Sequence, residues 1–274
     1  MTRGFLYIAT GESFVREAVI SAKQIKEIMG ECPIAIITEI DLNNPVFDHI
    51  IKINNASHDT GDQIKYMNKS PFDKTIYIDT DIYVSSDISS IFSILDQFDL
   101  AASLKQGEKY SGVTSDLPDS FPEYSTGMVA YNNNKTFDHF LANWKNIYRN
   151  HKSENIWENQ PSFREAVYNS DIRISPLPRE YHLFIRKPGY VEGEVKVAHG
   201  RLVEVGDSGG ANKTVDVPSA IKELNKLESQ RVYTHGLRGI RVSTNSRPYI
   251  LKRAIKKRGY RTIINQILKK FRIS

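Results

Sequence analysis

The chain has 274 residues, 40% of them hydrophobic and 25% charged, enough to bury a full core in one large α/β domain with an appendage or in two small domains. Its single cysteine, Cys32, excludes an internal disulfide and a cysteine-based zinc cluster, which fits a reducing compartment. Thirteen Lys and Arg residues follow Glu228 without one Asp or Glu, so taking them from the net charge of +5 leaves −8 for the body of the chain.

From Met1 to Gly4 the chain leads into a short strand without the apolar stretch of a signal peptide, and no segment is long and apolar enough to cross a bilayer. Phe5 to Thr10 reads as that first strand, ending at Gly11. Ser13 is placed to cap a helix whose Val15, Ala18, Val19, Ala22, Ile25 and Met29 share one face up to Gly30. Ile34 to Thr38 and Ile50 to Ile53 follow as apolar strands, and this spacing predicts a right-handed βαβ unit in a parallel sheet. Ligands of such sheets bind beyond the carboxyl ends of the strands, here at Ala9 and Thr10. Neither Gly-x-Gly-x-x-Gly nor a P-loop follows the first strand, which argues against dinucleotide and P-loop sites. Asp62 to Met67 reads as a helix carrying Lys65, and a lone helical lysine is ordinarily solvated surface.

Lys74 to Val84 is a β-rich run broken by Asp79 and Asp81, entered through the turn chemistry of Ser70 to Asp73. Extended backbone points side chains i and i+2 to one side, so both carboxylates are able to approach one cation. A hard ion already holding phosphate oxygens needs one or two such ligands, and the pair suits a metal and diphosphate site. Strand ends also carry Asp for turns and caps, as Asp87 does before a helix predicted from Ile88 to about Gln97. Asp99 to Ser103 is a further short strand. Residues 105–123, rich in Gly, Ser, Asp and Pro, form an irregular segment of the kind used as a lid or binding loop.

Tyr124 to Tyr131 reads as a strand whose entry, Ser125-Thr126-Gly127, lets backbone approach a ligand or makes an ordinary turn. Phe137, Phe140, Leu141, Trp144, Ile147 and Tyr148 give a helix an apolar face that reads as core. Trp157 to Pro161 opens another helix, with Pro161 in its first turn. Val195 to His199 is a β-like run from whose end His199, followed by Gly200, projects. A neutral imidazole there is a suitable third ligand to a metal held by carboxylates, or simply structural.

With Leu177-Pro178 and Tyr181 between them, these motifs in this order resemble the nucleotide-sugar glycosyltransferases of the GT-A fold, the group that includes the glycogenin-like and galactosyltransferase-like enzymes. The resemblance spans residues 4–202 and implies a Rossmann-like, mixed and mainly parallel central sheet flanked by helices. It implies that Asp79 and Asp81 hold Mn2+ or Mg2+ against a nucleotide diphosphate, with Thr80 between them and His199 as third ligand. Ala9, Thr10 and Lys65 would contact the nucleotide side of the donor, and Thr126 and Gly127 would border the sugar pocket. Asn159 and Gln160 would touch the transferred sugar, while Gly200 and Arg201 would complete the donor site, with Arg201 or Lys187 assisting departure of the diphosphate. The family often has Asp where this chain has Asn159.

The implied activity is transfer of a sugar from a UDP-sugar to a glycan, lipid-linked or protein acceptor, with retention favoured. An inverting enzyme would need a base, for which Asp116, Asp119, Glu123 and Glu158 are available. Two alternatives stand beside it: an inactive GT-A-like binding module at a membrane, and a haloacid-type phosphatase, whose Asp-x-Asp normally continues to Thr or Val where this chain has Tyr83.

The expected division is a catalytic domain over 1–205, a connecting segment over 206–246 and a basic amphipathic helical tail over 247–274. In that tail Tyr260, Ile263, Ile264, Ile267, Leu268 and Phe271 fall on one helix face, with Arg261, Lys269, Lys270 and Arg272 around it. Such a helix lies on an anionic membrane surface or packs back on its own domain. No nucleic acid is expected, because no reader motif accompanies the charge. The expected location is cytoplasmic, peripheral on the inner face of the membrane.

Overall fold

The structure, a computed structural model, describes residues 1–107, 117–203, 214–226, 230–236 and 239–244. In chain order it contains β1 (Arg3–Ile8), α1 (Glu12–Met29), β2 (Ile34–Thr38), β3 (His49–Lys52), α2 (Gly61–Tyr66), β4 (Lys74–Ile78), β5 (Ile82–Val84) and α3 (Ser90–Ile94). There follow β6 (Leu100–Leu104), β7 (Tyr124–Asn132), α4 (Lys135–Ser153), α5 (Asn159–Tyr168) and β8 (Ile174–Leu177). The last described elements are β9 (Leu183–Phe184), β10 (Gly189–Val191), β11 (Val197–His199), α6 (Val217–Asn225), β12 (Arg231–Gly236) and β13 (Gly239–Thr244).

Seven strands form the central sheet in the order β3-β2-β1-β4-β7-β6-β8, and β7 alone runs against the rest. Period-2 alternation divides each strand between two cores. Phe5, Ile76 and Ile78 face Val15, Ala18 and Ile25 of α1 and Ile91 of α3, while Leu6, Tyr77 and Tyr131 face Phe137, Trp144 and Phe163 of α4 and α5. Strands buried on both faces read as continuous apolar runs, which is why β1, β2 and β4 were legible as strands. Trp144, fully buried, has its indole N–H satisfied by Ser162 Oγ at 3.0 Å.

Two helix starts differ from expectation. Ser13 lies inside α1 and caps nothing; the N-cap is Gly11, whose φ of 96° turns the chain sharply out of β1 and whose N–H donates to Glu39 Oε1 at 2.7 Å. The helix predicted from Ile88 shrinks to the five residues of α3, because Asp87 Oδ1 accepts from Ser89 N and the first turn is spent on that loop.

Two small sheets, β5-β11-β9 and β10-β12-β13, extend the domain beyond the carboxyl end of β4. They share a third core in which Leu183, Ile185, Val191 and Ala198 meet Val217, Ile221 and Leu224 of α6 and Tyr233 of β12. The described residues after 213 therefore pack on the same body as β9 to β11. The tail over 247–274 and Asp116 lie outside the described residues, and no helix among those described is long and apolar enough to cross a membrane.

Candidate active site

β4 delivers Asp79 to the carboxyl edge of the sheet, where Asp79 N donates to Gly127 O on β7 at 2.8 Å. The chain then turns: Ile82 N returns to Asp79 O at 3.2 Å before β5 begins. The two carboxylates converge because of this turn, not because of pleated alternation as the sequence suggested. β11 pairs antiparallel with β5, His199 opposite Ile82, and Gly200 N donates to Asp81 O at 3.0 Å. A strand 118 positions away thus sets its terminal imidazole beside Asp81.

One ligand atom from each of Asp79, Asp81 and His199 lies within 4.8 Å of the others. His199 Nε2 is 3.0 Å from Asp81 Oδ1 and 4.0 Å from Asp79 Oδ2, and Tyr77 OH donates to Asp79 Oδ1 at 2.6 Å. A Cβ built on Gly127 would stand 2.9 Å from both Asp79 Oδ2 and His199 Cε1. Glycine there keeps the cradle open. Two carboxylates and one imidazole are a donor set for a divalent cation such as Mn2+ or Mg2+, so the residues fit the implied metal.

The charges support this. Burial pushes the Asp79 carboxyl up to about 6, and the Asp81 charge adds to it against the pull of His199 and Tyr77. Burial acts the same way on Asp81, but His199 and Arg201 overcome it and hold that carboxyl well below the usual range. His199 is raised: burial lowers it, and the adjacent Asp81 outweighs burial. Protons on the Asp79 carboxyl and the His199 imidazole would therefore compete with any cation held here.

A cavity of about 360 Å3 opens over the triad. Of the residues expected from the sequence, Thr10, Asp79, Thr80, Asp81, His199 and Arg201 line it. Ala9 is buried below it, with its N–H on Ile37 O at 3.0 Å. Thr126 and Asn159 sit behind the wall in a closed network: Thr126 Oγ1 donates to Asn159 Oδ1 at 2.8 Å, Asn159 Nδ2 donates to Gln63 Oε1 at 2.6 Å and Thr60 O at 3.0 Å, and Gln63 Nε2 donates to Thr126 O at 2.9 Å. Gln160 is half-buried beside it and does not line the cavity. Lys65 is directed elsewhere, its ammonium on Asn55 O and 5.0 Å from the Tyr66 ring centroid. Lys187 is exposed over Phe184, whose ring packs against His199. Glu158 stands exposed at the N-cap position of α5 without a side-chain capping bond, and Glu123 is buried against Lys105 at 2.8 Å. Neither these nor Asp119 lines the cavity.

Several cavity residues carried no signal in the sequence. Phe14 and the run His58-Asp59-Thr60 line it, with His58 at φ 56° because Asp62 accepts both Ser57 N and His58 N and folds the loop over. Glu17 is fully buried in α1 and accepts four donors: Thr80 Oγ1 at 2.7 Å, Arg201 Nη1 at 2.6 Å, Leu202 N at 2.7 Å and Val203 N at 3.2 Å. It fixes Arg201, whose Nη2 lies 3.4 Å from Asp81 Oδ2.

No family model and no curated protein matches this sequence. Among solved structures, the glycosyltransferase GlyE of Streptococcus pneumoniae TIGR4 superposes with a TM-score of 0.50 at 16% identity, over 67% of this chain and 48% of that one. The fold is GT-A. The apo form of GlyE gives 0.49 at 16% identity over 68% and 47% of the two chains. The galactosyltransferase LgtC, solved with donor and acceptor sugar analogs, gives 0.48 at 12% identity over 66% of this chain and 75% of that one. The GT-A assignment rests on the first superposition and the sheet order, and the chain spans about half the length of GlyE.

Proposed function

We propose that this chain is a metal-dependent glycosyltransferase that takes a sugar from a nucleotide-diphosphate sugar, UDP-linked by the family expectation, and passes it to a glycan or lipid-linked acceptor. The observation that carries the reading is the meeting of Asp79, Asp81 and His199 in a cavity at the carboxyl edge of a GT-A sheet. A bound Mn2+ or Mg2+ would supply Lewis-acid stabilisation for the charge that develops on the departing nucleoside diphosphate.

The chain's own residues do the rest. Asp79, Asp81 and His199 would hold the ion. Arg201, kept charged by Asp81 and Glu17 against the effect of burial, adds a fixed cation on the same wall. Thr10, with its hydroxyl on Asp62 Oδ2 at 3.1 Å, and the loop at His58 to Thr60 close the opposite side around the nucleotide. The Gln63, Thr126 and Asn159 network braces the wall from behind, and so fixes the side chains that would orient the sugar. The basic segment over 247–274 supports an acceptor presented at an anionic membrane surface.

The test is nucleoside diphosphate release from a panel of nucleotide sugars with Mn2+, run beside Asp81→Ala and His199→Ala. Release from one donor, lost with chelator and in Asp81→Ala, establishes donor and site together. If neither release nor metal-dependent binding of any donor is found, the transferase reading is wrong.

A further inference from the structure

The two ring nitrogens of His199 have different neighbours. Nε2 faces the carboxylates, while Nδ1 lies 3.1 Å from Nε2 of His182. His182 is 5% exposed, so its ring is shielded from solvent, and its backbone N–H donates to Arg179 O at 3.0 Å. The two imidazoles meet edge to face, their centroids 4.9 Å apart at 63°, and Phe184 closes on His199 at 5.1 Å and 86°. A Cβ on Gly127 would come within 3.0 Å of His182 Nε2, so the same missing side chain makes room for both rings.

A hydrogen bond between two nitrogens needs one proton between them. With a cation on His199 Nε2, the one proton of the neutral ring sits on Nδ1, and His182 Nε2 must accept it. Without a cation, Nε2 donates to Asp81 and the ring, if fully protonated, still presents Nδ1–H to His182. A neutral ring has one proton, so it is the cation on Nε2 that fixes this proton on Nδ1.

We propose that His182 is the positioning residue of this metal site: it accepts the His199 Nδ1–H, holds that ring's tilt and leaves Nε2 facing Asp79 and Asp81. The inference rests on the metal-dependent reading above. Metal-bound imidazoles usually give their second N–H to a carboxylate, carbonyl or water. A buried neutral imidazole performs that task here without adding a third negative charge beside Asp79 and Asp81.

The experiment has two readouts. Long-range nitrogen–proton spectra of wild-type protein labelled in histidine and loaded with Mg2+ report the tautomer of His199, and nitrogen–nitrogen coupling across the hydrogen bond reports its acceptor, assigned by difference from His199→Gln and His182→Gln. The expected result is a protonated Nδ1 coupled to His182 Nε2. Mn2+ calorimetry then compares His182→Leu, which loses the acceptor, with His182→Gln, whose amide oxygen reaches the same point. Affinity should fall by about tenfold to a hundredfold in the first and return in the second. A bare Nδ1 in the wild type overturns the proposal, as does a folded His182→Leu that binds Mn2+ like the wild type. If the wild type binds neither Mn2+ nor Mg2+, the metal reading fails and this proposal falls with it, whereas a wild type that binds the ion beside a His182→Leu that binds it equally well overturns the proposal alone.

Discussion

Replacing Glu17 by Gln tests whether the site is built from α1 outward. The carboxylate accepts Thr80 Oγ1, Arg201 Nη1, Leu202 N and Val203 N, and none of it is exposed. An amide keeps one acceptor and turns an NH2 toward at least one of these donors. Removing one partner of a buried ion pair costs about 3–5 kcal/mol, and we take the lower end, because Arg201 keeps Asp81 at 3.4 Å. At about 2–4 °C per kcal/mol for a chain near this size, a loss of ~3 kcal/mol lowers the melting midpoint by roughly 6–12 °C. Urea titration gives the free energy, and amide exchange gives the location, with Leu202 and Val203 losing protection first. Glu27→Gln on the exposed side of the same helix is the control and should change stability by less than about 0.5 kcal/mol. If Glu17→Gln behaves like that control, the buried hub has no energetic role and the argument fails.

The other predictions concern the cradle and its wall. Gly127→Ala places a Cβ 2.9 Å from Asp79 Oδ2 and His199 Cε1; overpacking of this kind costs about 1–3 kcal/mol, so Mn2+ affinity measured by calorimetry should fall by roughly tenfold to a hundredfold in a protein with native circular dichroism. Mn2+ affinity should rise with pH and collapse below about pH 6, because protons on Asp79, pushed up to about 6, and on the raised His199 compete with the cation; calorimetry across that range giving a flat profile would exclude these ligands. Asn159→Asp should destabilise by about 2 kcal/mol, since the amide NH2 that serves Gln63 Oε1 and Thr60 O becomes a third acceptor among acceptors; urea denaturation reads it directly.

The sequence by itself marked β1, β2, β3, β4, β6, β7 and β11, the sheet class, and the three side chains Asp79, Asp81 and His199 that the fold brings together, because each leaves a local trace. β1, β2 and β4 are apolar runs of strand length, and Asp79 and Asp81 sit at the carboxyl end of one of them. His199 showed as an imidazole at the end of a short β run. Lys65 had the same kind of local signal, yet its ammonium lies on Asn55 O, because the rotation of α2 and the path of the preceding loop decide where a long side chain points. Asn159 looked like a ligand residue at a helix start and is instead a buried bridge between Thr126, Gln63 and Thr60.

Glu17 and His182 could not be found in the sequence at all. A glutamate in an amphipathic helix reads as solvent-facing, and a histidine after Tyr181 has no pattern to mark it. Their roles come from contacts made across 184 and 17 positions, between Glu17 and Arg201 and between His182 and His199. Sequence periodicity reports which face of an element is apolar. It does not report which polar group on another element will meet a buried charge, since that partner is chosen by packing, and the packing alone turned one acid on α1 and one histidine before β9 toward the site.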